Sequence, residues 1–364
     1  MAESNASDVL AKIEKAQEAR RKRAVLRETH VTMSHGSGGK ATHNLIDAVF
    51  AQALSNAYLD RMEDSAVMPW DTSSSKIALT TDTYVVSPIK FPGGDIGSLA
   101  VHGTINDLAM AGAMPLALSA GFILEEGFPI EELRDIVKSM AEASLRAHVP
   151  IVTGDTKVVP RGKGDGIYIN TAGVGRLLPE ASLGYDRIRV GDKVIVSGDL
   201  GDHGIAVMLA RESLDIDADI TSDSAPLHHI VYDLITHLGS SIHCLKDPTR
   251  GGLATTLNEL TQSSRLAIGL QERTIPVKDV VKGTCELLGL DPLTIANEGK
   301  LIAIVDAHVA DEALAIIRSH ESGHHAQIIG EVLPEPEGMV FMHTDIGGMR
   351  VLDMLVGDPL PRIC

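Results

Sequence analysis

The chain predicts an α/β fold, of the α+β kind, in two units divided near residue 180. Short apolar runs alternate with longer helical patterns from Val31 onward. The alternation breaks once, over Pro179 to Gly191, and then resumes. A length of 364 residues suits two domains of ordinary size, each able to bury a core without disulfides.

Residues 1–28 stand apart, with seven basic residues (Lys12, Lys15, Arg20, Arg21, Lys22, Arg23, Arg27) against five acidic ones (Glu3, Asp8, Glu14, Glu18, Glu28). With few large apolar side chains they read as a solvated helix or a mobile extension. Residues 29–180 form the first unit. Ile77 to Thr81 reads as a strand ending in a polar turn, and Leu99 to Met114 has helical spacing. Ile130 to Ala147 is amphipathic, with Ile130, Leu133, Ile136, Val137, Met140 and Leu145 on one side. Strands follow at 150–153 and 167–174. The second unit, 181–344, opens with a strand over Lys193 to Ser197. Helices follow at about 203–214, 225–238 and 252–263, with strands at 266–270, 301–305 and 327–332. From 345 the chain is an end segment or tail, finishing Gly357-Asp358-Pro359-Leu360-Pro361-Arg362-Ile363-Cys364.

Composition narrows the function. A formal net charge of −17 repels phosphate backbones and anionic membranes, and 3% aromatics leaves few base-stacking platforms. Nucleic-acid and membrane partners are therefore not expected. No apolar stretch reaches the roughly 18 residues of a membrane span. Cys244, Cys285 and Cys364 form no CxxC pair or disulfide framework, which points to a reducing compartment, the cytoplasm.

Three groups of residues carry chemistry. His35-Gly36-Ser37-Gly38-Gly39-Lys40 lets backbone N–H groups face an anion, with Lys40 adding charge, although a glycine-rich loop alone is also an ordinary surface turn. Asp82, Asp107 and Asp155 end apolar runs beside small polar residues. Singly each is a turn or cap residue; together they suit Mg²⁺ shared with substrate phosphates. The second unit repeats the theme in Gly201-Asp202-His203-Gly204, Asp247-Pro248-Thr249-Arg250-Gly251-Gly252 and Asn297-Glu298-Gly299-Lys300, with the role of His203 open. Cys364 follows a proline-rich spacer whose seven steps from Gly357 span roughly 20 to 25 Å. Such a thiol is not expected in a core and can swing between sites, whereas Cys244 and Cys285 read as buried structural thiols.

Taken together these stretches resemble the HypE family of hydrogenase maturation factors, within the aminoimidazole ribonucleotide synthetase and selenophosphate synthetase superfamily. The resemblance runs from about Val31 to Cys364, and the ending Pro361-Arg362-Ile363-Cys364 is its most specific part. Family members start nearer the glycine-rich loop, so residues 1–28 are an extension. The resemblance implies a two-domain PurM-like ATP-binding fold with a mobile C-terminal tail, working as a homodimer. It also implies a cycle in which a HypF-like carbamoyltransferase loads Cys364, ATP drives dehydration of the S-carboxamide to a thiocyanate, and the cyano group passes to iron on a HypC–HypD-like complex.

On that reading Asp82, Asp107 and Asp155 hold Mg²⁺, while Lys40, Asn106 and Thr156 surround the phosphates of ATP. Phosphorylating the carboxamide oxygen makes it a leaving group, and a carboxylate must then take protons from nitrogen. Glu298 is the expected base, with Lys157 polarising the carboxamide. The rival readings are a sister ATP-dependent synthetase and a nucleotide-binding scaffold. No cysteine precedes Cys244, which argues against selenium chemistry at the glycine-rich loop.

Overall fold

The structure, a computed structural model, describes residues 26, 28–36, 40–56, 59, 76–211, 219–354 and 362–364. The extension other than residues 26 and 28, Ser37 to Gly39, the Lys40 side chain and the Gly357 to Pro361 spacer lie outside the described residues. Mixed helices and sheets bear out the α/β reading. Compactness divides the chain into residues 1–70 with 117–171, and residues 71–116 with 172–364.

In the first of these units a short helix α1 (Lys40–Leu45) leads into a π-helical turn, Ile46–Phe50. Further on, α3 (Ile130–Ala147) buries Ile130, Leu133, Ile136, Val137 and Met140. Leu145 was expected on that face but is 74% exposed. Five residues beyond Met140 it points about 140° away around the helix. Glu131 and Glu132 in the first turn and Arg146 in the last complement the helix dipole, and His148 ends the helix in a left-handed conformation at φ 55°. Part of strand β4 (Ala113–Glu125) pairs in parallel with β5 (Ile151–Val159), placing Gly121 opposite Asp155.

The second unit begins with β1 (Ile77–Tyr84), an edge strand of a four-stranded sheet ordered β1-β6-β4-β5, where β6 is Ile167–Leu177. Short strands β2 (Lys90–Phe91) and β3 (Gly94–Asp95) lead into α2 (Ile96–Met110). Asp95 caps α2 through Oδ1, which accepts from Gly97 N at 2.8 Å and Ser98 N at 2.9 Å. The helix ends at Met110, before the expected Met114, because Gly112 turns left-handed at φ 74°. α2 is buried nearly all round, and its Gly103 lies where a Cβ would strike the Tyr84 hydroxyl.

A seven-stranded sheet ordered β13-β12-β9-β11-β7-β10-β8 forms the centre of this unit. Its strands are β7 (Lys193–Val196), β8 (Ile242–Lys246), β9 (Ala267–Gln271), β10 (Ile302–Val305), β11 (Gln327–Leu333), β12 (Val340–His343) and β13 (Met349–Leu352). Met349–Leu352, placed by sequence in the end segment, is thus a sheet strand. Antiparallel pairing sets Ile302 opposite Val196 and Ala303 opposite Ile195. Val194, Val196, Ile302 and Ile304 pack with α6 (Gly252–Ser264) on one face. Ile195, Ala303 and Val305 pack with α5 (His228–Leu238) and α8 (Ala310–Arg318) on the other. Burial on both faces explains the continuous apolar runs of β7 and β10. The smaller helices α4 (Asp202–Leu209) and α7 (Asp279–Leu288) build a satellite cluster. No described helix is long and apolar enough to cross a membrane.

Candidate active site

The second unit gathers its chemistry around the C-terminal residue. Cys364, expected outside any core, is buried at 9% exposure. Its terminal tripeptide docks along the chain that continues β1. Val85 N donates to Cys364 O at 3.2 Å and Ser87 N to Arg362 O at 3.0 Å, while Arg362 Nε returns a bond to Val85 O at 3.0 Å. The tail therefore adds a short strand-like segment to an open edge, satisfying backbone groups that would otherwise face water.

β8 delivers Asp247 and Arg250 to the same place. Gly251 and Gly252 are both left-handed, at φ 76° and 59°, and turn the chain from Arg250 into α6. The Arg250 guanidinium is held above its usual pKa chiefly by Cys364, then by Asp82, Glu298 and Tyr84. That order identifies Arg250 as the cation coupled to the C-terminal residue, which carries both a thiol and the chain's terminal carboxylate. Sequence motifs marked Arg250 as an anion-binding candidate or an ordinary turn residue, and its pairing with residue 364 was not legible from spacing.

Glu298 is buried at 4% exposure. Burial raises its carboxyl well above the usual range, reinforced by Asp247, Asp223 and Asp82 and opposed by Arg250. Its backbone is fixed from two sides. Asp223 Oδ1 accepts from Glu298 N at 3.0 Å, and Asn106 Nδ2 donates to Glu298 O at 3.2 Å. Asn106, expected among the phosphate ligands, also donates to Ala225 O and accepts from Leu227 N at 2.8 Å. Both amide hydrogens are thus spent on backbone carbonyls, and the side chain acts as a tie holding Glu298.

Asp82, Asp107 and Asp247 are electrostatically coupled. Burial raises Asp107, Asp82 raises it further, and the Thr80 hydroxyl opposes this by donating to it at 2.8 Å. Burial, then Asp107 and later Asp82, push the Asp247 carboxyl up to about 6. Hard oxygen donors suit a divalent cation, and one bound here would relieve the repulsion that raises Asp107 and Asp247. Among the described residues no group of three or more His, Cys, Asp or Glu side chains is already drawn together as a metal centre.

Asp155, Thr156 and Lys157 lie in the other compact unit, on β5. Lys157 Nζ is 2.8 and 2.6 Å from the two Asp155 oxygens, and this contact holds the Asp155 carboxyl below its usual range. Thr156 N donates to Asp155 Oδ1 at 2.8 Å. The pair is exposed, so it contributes little stability and its charges remain available to a ligand. A surface groove of about 480 Å³ beside Leu145 and His148 contains none of the candidate residues. Cys244 and Cys285 are buried, with thiols pushed by burial to about 12 and about 11, as structural thiols should be.

Comparison with known proteins finds relatives that span most of the chain. Residues 62–177 match the N-terminal domain of AIR synthase related proteins, and residues 189–343 match the C-terminal domain. The chain is 52% identical over 339 residues to the carbamoyl dehydratase HypE of Azotobacter vinelandii, covering 93% of this chain and 98% of that one. A crystal structure of the hydrogenase maturation protein HypE in complex with ATP superposes with a TM-score of 0.87 at 47% identity, covering 92% of this chain and 99% of that one. A HypE–HypF complex structure matches with a TM-score of 0.75 at 49% identity, covering 85% of this chain and 99% of that one.

Proposed function

The chain belongs to the HypE family of carbamoyl dehydratases, among the AIR synthase related proteins, and from that premise we infer the chemistry of its own residues. It is a hydrogenase maturation enzyme that dehydrates the S-carboxamide on Cys364 to a thiocyanate. The observation that carries this reading is the buried C-terminal cysteine, electrostatically coupled to Arg250, which is coupled in turn to the buried Glu298.

The thiolate of Cys364 accepts a carbamoyl group from a HypF-like carbamoyltransferase, the partner suggested by the HypE–HypF complex. The carboxamide oxygen then attacks the γ-phosphorus of ATP and ADP departs. Both N–H protons leave, the C–O bond breaks, and the original oxygen departs in phosphate, leaving S–C≡N. Glu298 is the base for nitrogen, since a carboxyl held above its usual range is a stronger base once ionised. Arg250 steadies negative charge on sulfur. Lys157 polarises the carboxamide, released for that task from an exposed ion pair.

ATP binding is supported by the ATP complex of the homologous HypE structure. Lys40 and Thr156 are the phosphate contacts, and Asp82, Asp107 and Asp155, with Asp247 beside the first two, would hold Mg²⁺. When bound, Mg²⁺ neutralises the developing phosphate charge. The cyano group passes to iron on a HypC–HypD-like complex, and the reaction belongs in the cytoplasm, where the thiol stays reduced. The working form is a homodimer, supported by the 58% and 77% exposure of Ile77 and Leu79 on β1.

Intact mass after incubation with carbamoyltransferase, carbamoyl phosphate and ATP tests this reading. Wild type should gain a carbamoyl group and then lose one water. Cys364→Ala should gain nothing, and Asp82→Asn should retain the adduct without losing water. Wild type that gains no adduct beside an active partner returns the function to a sister synthetase.

A further inference from the structure

We propose that His203 is a positioning residue, a latch that holds the C-terminal tail docked by donating a hydrogen bond to the carbonyl of Ile363. The proposal deepens the tail-thiol reading above and rests on it for its catalytic consequence. His203 is fully buried at the start of α4, in the Asp202-His203-Gly204 stretch whose role the sequence left open. Its Nε2 is 2.9 Å from Ile363 O, and a carbonyl can only accept, so Nε2 carries the proton.

The other ring nitrogen is fixed as well. Nδ1 is 2.8 Å from Ser222 Oγ, and that hydroxyl accepts from Ser224 N at 3.1 Å. Ser222 therefore has its hydroxyl proton free to donate to Nδ1, which selects the tautomer bearing hydrogen on Nε2. Burial keeps the ring neutral by lowering its pKa, so Nδ1 retains the lone pair this arrangement needs. Phe91 packs against the imidazole, ring centroids 5.4 Å apart at 89°.

The latch acts where docking is strained. Arg362 is left-handed at φ 56°, a conformation that an L-residue holds only against opposing contacts. Arg211, two residues beyond the end of α4, supplies one of them, bonding Ser87 O through Nε at 2.9 Å and Arg362 O through Nη2 at 3.3 Å. Two successive tail carbonyls are thus gripped from the two ends of one helix. Ile363 is the residue joined to Cys364, so its carbonyl helps set where the terminal residue stands. The tail must also leave for its thiol to be loaded by a partner enzyme, and one hydrogen bond from a fixed tautomer is a contact that can be broken and remade.

The test uses the full chain with His203→Leu, which removes the donor, and His203→Gln, whose amide can donate from a similar position. Alkylation of unmodified Cys364 by iodoacetamide, followed by peptide mass, reads docking without any catalysis. His203→Leu should speed alkylation at least tenfold, and His203→Gln should restore a rate within threefold of wild type. In carbamoylated protein, His203→Leu should lose water at least tenfold more slowly, while carbamoylation itself should be no slower than in wild type. Alkylation of His203→Leu at the wild-type rate overturns the latch. A wild type that never loses water overturns the dehydratase reading, and the alkylation rates still decide the latch. Should His203→Leu fail to fold, Ser222→Ala removes only the hydroxyl that fixes the tautomer and should speed alkylation about threefold; no change there overturns the proposal.

Discussion

Glu298 and Asp247 show how one pocket makes carboxyl groups both costly and useful. Each is pushed upward by burial and by its acidic neighbours, so each keeps its proton to higher pH in the folded chain than in the unfolded one. For Asp247 the folded value is about 6 against an ordinary 3.8. The folded state therefore binds more protons between those values, and stability falls as pH rises through that window. Above it the ionised carboxylate is a standing penalty. Asp247→Asn should melt a few degrees above wild type at pH 8 in metal-free buffer, with the gain gone at pH 4, as calorimetry can check. With Glu298 as the proposed base, the same direction should make dehydration faster with rising pH, as its carboxyl ionises. Glu298→Gln should slow water loss by roughly 10² to 10⁴-fold while leaving carbamoylation of Cys364 intact, measured in a single turnover by mass. The sequence marked Asp82, Asp107, Glu298 and Cys364 because each sits in a short polar stretch with its own local chemistry. Arg250 facing Cys364, and Asp223 gripping Glu298, join residues far apart in the chain, and no spacing rule connects them.

The helix α2 depends on a close approach that a single atom decides. Gly103 passes the Tyr84 hydroxyl where a Cβ would collide with it, and β1 carries both Tyr84 and Asp82. Gly103→Ala should cost about 1–3 kcal/mol, read by chemical denaturation, as overpacking of a filled core does. Tyr84→Phe removes the struck oxygen and should recover part of that loss, giving a coupling of at least ~0.5 kcal/mol in a double-mutant cycle. Additive losses would mean that the helix shifts to accommodate the methyl instead. Elements with a clear period were legible: Ile130–Ala147 and the strands β7, β10 and β11 lie where apolar spacing put them. β4 was not, because Pro115 and Gly121 interrupt it and Ile123 is its lone β-branched residue. β8 hid for a different reason. His243 is its second residue, and that buried imidazole is matched by Asp192 at 2.7 Å, from a loop 51 residues earlier. β13 is short and exposed apart from Leu352, so only its pairing to β12 makes it a strand.

Association of two copies sets a dry surface against a large like charge. β1 turns Ile77 and Leu79 outward at alternate positions, the pattern of a strand face meant for cover. Each copy also carries a net charge of −17, so two copies repel at long range. Apolar burial is indifferent to salt at moderate concentration, whereas that repulsion is screened over about 10 Å at 0.1 M ionic strength. The homodimer proposed above should therefore tighten as salt rises from ~0.05 to ~0.5 M, the opposite of an interface built on ion pairs. Sedimentation equilibrium reads this directly. Leu79→Glu puts a desolvated charge into the face and adds to the repulsion, so it should weaken association at least a hundredfold, with the smallest deficit at high salt. The proposed catalytic residues are others than these, and the monomer formed by Leu79→Glu should still bury Cys364 against iodoacetamide. A variant that remains as dimeric as wild type would place the interface on another surface. One that loses both dimer and Cys364 protection would show that the docked tail depends on the second copy.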